Sequence, residues 1–231
     1  MKRVSVYIDA GNFYHLVLKR IGISEVQFDF DRFVEFLSEG GKITDEGKRF
    51  YVGTVRQGKN NHESNHAMRN QTRLFTELSK TEPPWNIKTS KLRTRIEKLN
   101  IDDRVESFQK LLDLGITEIK FSRSREKGID VKIATDLIVG AVDDKYDIAV
   151  IVSSDTDLVP AIDWVRKRKQ KTIQYVGFSF PEISKIIDGE KVILSESIKP
   201  TDNMIKNSDI QRILVETDVK KFIKEDLFSI S

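Results

Sequence analysis

Four carboxylates stand at three places in the chain where an acid would be useful. Asp9 closes the apolar run Val4-Ser5-Val6-Tyr7-Ile8, and Asp155 and Asp157 follow a second run, Ile148–Val152, through Ser153 and Ser154. Asp130 opens a third, mostly apolar segment. Carboxylates gathered in one crevice repel one another, and a hard divalent cation relieves that repulsion. Mg2+ or Mn2+ accepts a few carboxylates plus waters and leaves positions open for phosphate oxygens. Such a site activates a water and stabilises the charge of an in-line displacement, which is the chemistry of phosphodiester hydrolysis.

Each acid also has a plain structural reading. Asp9 alone reads equally as a turn residue, and Asp155 and Asp157 as the Asx turn and N-cap of a helix opened by Pro160. Asp130 resists that treatment. On a helix from Ile129 to Val142, at about 100° per residue, Ala134, Leu137 and Ala141 fall within roughly 40° of it. Its side chain therefore leaves from the apolar face. A carboxylate there costs several kcal/mol unless a cation, a lysine or amide donors meet it, or it takes up a proton. Lys127 is a candidate partner just upstream. Asp136 lies about 120° around the same wheel, near Lys132, and reads as a surface pair.

The elements that must position these acids alternate. Val4 to Ile8, Phe50 to Val55, Ile119 to Phe121, Ile148 to Val152 and Thr172 to Val176 read as five strands, with Val192 to Leu194 as a sixth. Helices are expected over Asn12 to Arg20, Asp31 to Leu37, around Met68 to Leu78, over Arg104 to Leu112, Ile129 to Val142 and Val159 to Lys167. Strands alternating with helices imply right-handed crossovers and a mainly parallel sheet, hence an α/β sandwich. In open sheets of this kind ligands bind beyond the carboxyl ends of the strands, where strand order reverses. If the first and fourth strands are neighbours there, Asp9 and the Asp155/Asp157 pair face one crevice.

Composition bounds the rest. With 231 residues, 39% of them apolar, the chain is long enough for a sizeable core. It has no cysteine, which excludes disulfides and thiolate metal sites and fits a reducing cytoplasm. No run approaches a membrane span, and the amino terminus lacks a signal-peptide core. The net charge of +3 is unremarkable, but residues 59–98 hold nine Lys/Arg against four Glu, a local excess above the whole-chain value. That segment is a candidate RNA-backbone surface or lid. The Arg166 to Lys171 cluster reads first as a helix end that complements the macrodipole. His62 and His66 are spaced i, i+4, yet no Glu or Cys pattern accompanies them, so zinc is not expected there.

Three motifs together carry a family resemblance. Tyr7-Ile8-Asp9-Ala10-Gly11-Asn12, Lys127-Gly128-Ile129-Asp130-Val131 and Ser153-Ser154-Asp155-Thr156-Asp157-Leu158-Val159-Pro160 resemble, in order and setting, the NYN domain, the PIN-like nuclease family that includes the LabA-like and DUF88 proteins. Ser184-Lys185-Ile186-Ile187-Asp188 looks like the family's closing segment. Ser154 replaces a frequent glycine and Leu158 a frequent phenylalanine.

The resemblance implies a PIN-like, Rossmann-like three-layer sandwich with sheet order 3-2-1-4-5. The domain would span residues 1–198 with a basic insertion at about 57–115, followed by a partly helical tail over 199–231. It further implies a metal-dependent ribonuclease with Asp9, Asp130, Asp155 and Asp157 on Mg2+ or Mn2+. Asn12 matches the first-motif asparagine and would hold Asp9 or a water, or else cap its helix. Lys127 and Arg125, with Arg123, would contact phosphate or neutralise the acidic cluster, while the two arginines also read as solvated strand-end charges. Asp136 matches a commonly acidic family position, against the wheel argument, and ranks second. Phe13 reads as core; Tyr14 beside it is a candidate base-stacking ring. The expected partner is RNA rather than a membrane, with a homodimer left open. The competing expectation is a non-catalytic RNA- or protein-binding module that keeps the fold.

Overall fold

The strand Arg3–Asp9 buries every position from Val4 to Asp9, which a strand achieves only when both faces of its sheet are covered. A computed structural model describes residues 1–54, 62–91, 93–125, 128–187 and 190–224. In chain order its elements begin with β1 (Arg3–Asp9), α1 (Ala10–Phe13, continued by a π-helical turn over Tyr14–Leu18), α2 (Phe30–Ser38) and β2 (Lys42–Thr54). Next come α3 (His62–Leu78), β3 (Asn86–Lys91), β4 (Arg93–Asn100), α4 (Phe108–Asp113), β5 (Glu118–Arg125) and α5 (Ile129–Val142). The chain continues with β6 (Ile148–Val152), α6 (Val159–Lys169), β7 (Thr172–Phe178), β8 (Ile183–Ile187) and β9 (Glu190–Ser195). It closes with α7 (Asp202–Lys206), β10 (Ile210–Leu214) and α8 (Glu216–Lys220).

Six strands form one parallel sheet in the order β10-β7-β6-β1-β2-β3. Alternate residues of β1 serve opposite layers. Val4, Val6 and Ile8 pack with Phe50, Val152 and Val176 against α1, α2 and α3. Tyr7 packs with Tyr51, Ile151 and Tyr175 against α5 and α6. Phe13 belongs to the first layer, with ring centroids 5.2 to 6.1 Å from Phe28, Phe30, Phe33 and Phe178. This is the three-layer α/β fold the sequence leads one to expect.

Two strand assignments need correction. Ile119–Phe121 lies in β5, which pairs with β4 in a separate antiparallel ribbon; the third strand of the central sheet is β3. β3 hides from sequence patterning because it is an edge strand with a single aliphatic residue, Ile87. Val192–Leu194 likewise belongs to the β8–β9 hairpin and not to the sheet. The sixth sheet strand comes from the tail: β10 sits between the short helices α7 and α8 and pairs in parallel with β7. The basic end of α6 is structural, since Arg166 donates to Asp209 at 2.6 and 2.9 Å and to the Asn207 carbonyl.

The strand order places the switch point between β1 and β6. From β1 the chain builds outward through β2 to β3, then returns to lay β6 on the other side, with Val6 opposite Val150 and Ile8 opposite Val152. Whatever leaves the carboxyl ends of these two strands meets across one crevice.

Candidate active site

β1 ends at Asp9 and turns directly into α1. Asp9 is only 6% exposed, and both of its oxygens are engaged. Oδ1 accepts from the backbone N–H of Asn12 at 3.0 Å, capping the helix, and Oδ2 accepts from Ser153 Oγ at 3.2 Å. Ser153 Oγ in turn accepts from the backbone N–H of Asp155 at 3.2 Å. One buried hydroxyl thus ties the first acidic strand end to the second. Asn12 makes a parallel tie, its Oδ1 accepting from the backbone N–H of Ser154 at 3.0 Å. The helix cap is therefore Asp9, and Asn12 fastens the two loops together.

After β6 the chain enters a short 3-10 turn, Thr156–Leu158, before α6. Asp155 caps that turn, its Oδ1 accepting from the N–H of Asp157 at 2.9 Å, while Asp157 itself is exposed. The Asx-turn reading of Asp155 holds, whereas α6 has Leu158 at its N-cap and no side-chain cap from Asp157; a carboxylate that caps with one oxygen still has a second to offer.

Asp130 arrives from the opposite side. Gly128, with φ of +79°, makes the left-handed turn that starts α5, a conformation costly for any residue with a Cβ. Ile129 then enters the core and Asp130 is left half-buried, within hydrogen-bonding reach of the Asp155 carboxylate and close to Asp157. Burial first, and then the charge of Asp155, hold the Asp130 carboxyl above the usual carboxylate range. Asp130 and Asp155 thus meet directly, and Asp9 joins them through Ser153.

Lys127 lies outside the described residues, as does Asp188 of the closing motif. Arg123 and Arg125 are placed only by backbone register on β5. His66 lies 3.4 Å from Asn70 on the exposed side of α3, and Tyr14 rests edge-on against His15.

Asp136 is neither at the crevice nor in a surface pair with Lys132. Its carboxylate, 12% exposed, accepts from Tyr51 Oη at 2.7 Å and Lys88 Nζ at 2.7 Å, with Arg49 Nη1 at 3.4 Å. Arg49 also lies over the Tyr7 ring, 5.5 Å from its centroid. The wheel angle is right, but the side of α5 that Asp136 faces is the β2–β3 edge of the sheet rather than water. Ser153, Lys88 and Arg49 are the residues sequence reasoning missed. Ser153 carried a signal, as the first polar residue after an apolar strand; the two cations carried none without knowledge of β3.

A family profile for the NYN domain matches residues 3–194. The chain belongs to the NYN domain family. The NYN domain has a nuclease-like fold consistent with the PIN-like superfamily, and nucleases of that kind typically use divalent metals. No curated protein matches this chain. Among solved structures, the chain is similar to a protein of unknown function from Vibrio parahaemolyticus, with 13% identity, 92% of this chain and 93% of that one covered, and a TM-score of 0.46.

Whether this NYN domain suits a divalent ion can be judged from its donors. They are hard oxygens, and two of them, on Asp130 and Asp155, lie within hydrogen-bonding reach of one another, with the charge of Asp155 raising the Asp130 carboxyl. That fits a hard cation. Among the described residues, no group of three His, Asp or Glu side chains is placed to hold a metal ion. No helix among them is long and apolar enough to cross a membrane.

Proposed function

We propose that this chain is a metal-dependent ribonuclease that hydrolyses RNA phosphodiester bonds at the carboxyl ends of β1 and β6, in the cytoplasm. The observation that carries the reading is the contact between Asp130 and Asp155 at the switch point, with Asp9 joined to them through Ser153. Asp9, Asp130 and Asp155 would hold Mg2+ or Mn2+, with Asp157 completing the acidic set from the rim. Bound there, the ion supplies activation of a water and stabilisation of the developing phosphorane charge.

The chain's own groups do the positioning. Ser153 orients Asp9 and, through the N–H it accepts, the loop that carries Asp155. Asn12 fixes the same loop at Ser154, so the two strand ends move as one unit. Lys127 and Arg125, at the approach to α5, are assigned to the phosphate. The overall reaction adds water across the bond: its oxygen joins phosphorus, the ester bond to the leaving ribose oxygen breaks, and that oxygen takes up a proton.

Incubating wild type, Asp9→Asn and Asp130→Asn with mixed RNA and DNA in Mg2+, Mn2+ or EDTA tests this directly. Metal-dependent RNA cleavage lost in both variants is the expected result. Equal cleavage by all three proteins would assign the activity to a contaminant and remove the proposal. RNA binding without cleavage under any metal would favour the binding module instead.

A further inference from the structure

β4 and β5 make a two-stranded arm that leaves the domain at the end of β3 and returns into α5, the helix that begins with Asp130. Its root is therefore at the acidic crevice. The antiparallel register sets Arg93 opposite Arg125, Arg95 opposite Arg123 and Glu97 opposite Phe121. Directly opposed residues share a face, and so do rungs two residues apart, which lie about 6.8 Å along the ribbon. One face thus carries two successive rungs of paired arginines at the crevice end, followed by an aromatic residue.

Like charges directly across an antiparallel pair are destabilising, and a lone two-stranded ribbon is marginal in water to begin with. Glu97 is the single acid on that face against four arginines, so two such rungs in succession leave a surplus of positive charge that an anion lying along them offsets. The opposite face is arranged differently: there Lys98 and Lys120 both pair with Glu118. The two strands hold six cations (Arg93, Arg95, Lys98, Lys120, Arg123, Arg125) against Glu97 and Glu118, a net +4 from six minus two, which the acidic segment 101–117 between them does not share. Both faces are open, with Arg95 exposed, Phe121 41% exposed and Ile96 79% exposed.

We propose that the arginine face of this arm grips the sugar–phosphate backbone of single-stranded RNA and leads it to the carboxylate crevice. The delivery role rests on the nuclease reading; the gripping role does not. Guanidinium rungs at the stride of a nucleic-acid backbone supply charge contact, and Phe121, next on the same face, supplies a ring for an unpaired base. That ring is what favours a single strand over a duplex, whose bases are already stacked.

Binding of a fluorescein-labelled, mixed-sequence single-stranded RNA is followed by anisotropy in EDTA, so that cleavage plays no part, over a series of salt concentrations. Replacing Arg93, Arg95, Arg123 and Arg125 together by glutamine is expected to weaken binding at least tenfold. It should also flatten the log K against log salt slope by about 2.8, from roughly 0.7 for each of four phosphate contacts on a single strand. Replacing the same four by lysine should keep the slope, which separates charge from misfolding. Phe121→Ala should weaken binding with the slope unchanged, and a duplex of the same length should bind less tightly than the single strand.

Unchanged affinity and slope in the glutamine variant would overturn the proposal while leaving Mg2+-dependent cleavage by wild type untouched. So would a change of the glutamine variant from dimer to monomer with RNA binding intact, since the arm would then be a subunit contact. Conversely, RNA binding lost in the glutamine variant of a protein that never cleaves would uphold the arm and sink the nuclease.

Discussion

Asp130 and Asp136, six residues apart on α5, are predicted to respond oppositely to substitution. Asp136 is 12% exposed and faces Arg49, itself 8% exposed, together with Lys88 and the Tyr51 hydroxyl. Asp136→Ala leaves a buried guanidinium with only the exposed Glu46, at 3.6 Å, as counter-ion, and breaking such a buried pair costs about 3 to 5 kcal/mol. For a chain of this size each kcal/mol moves the melting temperature by about 2 to 4 °C, so the loss amounts to roughly 6 to 20 °C. Asp130→Asn removes a charge the fold holds at a disadvantage. The folded carboxyl titrates above its unfolded value, so between those two values the folded state binds more protons, and stability falls as pH rises through that window. At neutral pH the penalty is fully present, and below the unfolded carboxylate value near 3.9 it vanishes. Asp130→Asn should therefore melt at or above wild type at pH 7 in EDTA, and level with it near pH 3.5. Thermal melts followed by circular dichroism at both pH values decide the matter. A loss of several degrees in Asp130→Asn at pH 7, or less than about 1 kcal/mol in Asp136→Ala, would mean that the structural and chemical carboxylates of α5 have been interchanged.

Three further outcomes follow from the same geometry. Divalent ion at ten times its Kd should raise wild-type stability by about 1.4 kcal/mol, roughly 3 to 6 °C, with no shift in Asp130→Asn; a melt in Mg2+ or Mn2+ against EDTA reads this without any cleavage assay. Ser153→Ala removes the hydroxyl shared by Asp9 and the Asp155 N–H, and should cost about 1 to 3 kcal/mol in urea unfolding while lowering any cleavage rate; an unchanged midpoint would mean the hydroxyl does not join the strand ends. At the far end of the same strands, Arg3 holds the Asp147 carboxyl down to about 2. That contribution is present above the unfolded value and is lost as pH falls through the folded one, so Arg3→Gln should unfold at higher pH than wild type on acid titration, and coincident acid transitions would refute it.

How much of this was legible in the sequence depends on what each residue needs around it. β1, β6 and β7 show as apolar runs because both of their faces are covered, so nearly every position had to be apolar. β3 did not show, because an edge strand is asked for little: Ile87 packs inward, Lys88 is satisfied by Asp136, and the rest is polar. Asp136 itself was turned to the correct side by helical periodicity and then given the wrong surroundings, since periodicity fixes direction and only the tertiary fold says what lies there. The turn-and-cap reading of Asp9 and Asp155 is what the structure shows, each carboxylate capping a helix start with one oxygen at the carboxyl end of its strand. Ser153 and Asn12 show the limit most plainly: their partners lie about 140 residues away in sequence, and no local pattern encodes such a tie.

The strand at the centre of the sheet is also the first one made. β1 has β2 on one side after some forty residues, but its other neighbour, β6, closes only when Val150 comes to lie opposite Val6. During synthesis an apolar strand must therefore wait, one edge open, until about two thirds of the chain has emerged, and contacts of such long sequence separation form slowly. Chains interrupted before residue 148 would present the β1 edge and both flanking apolar surfaces to each other, the condition under which incomplete α/β domains aggregate. In a living cell this places the risk of failure in the tens of seconds of manufacture rather than in the lifetime of the finished protein.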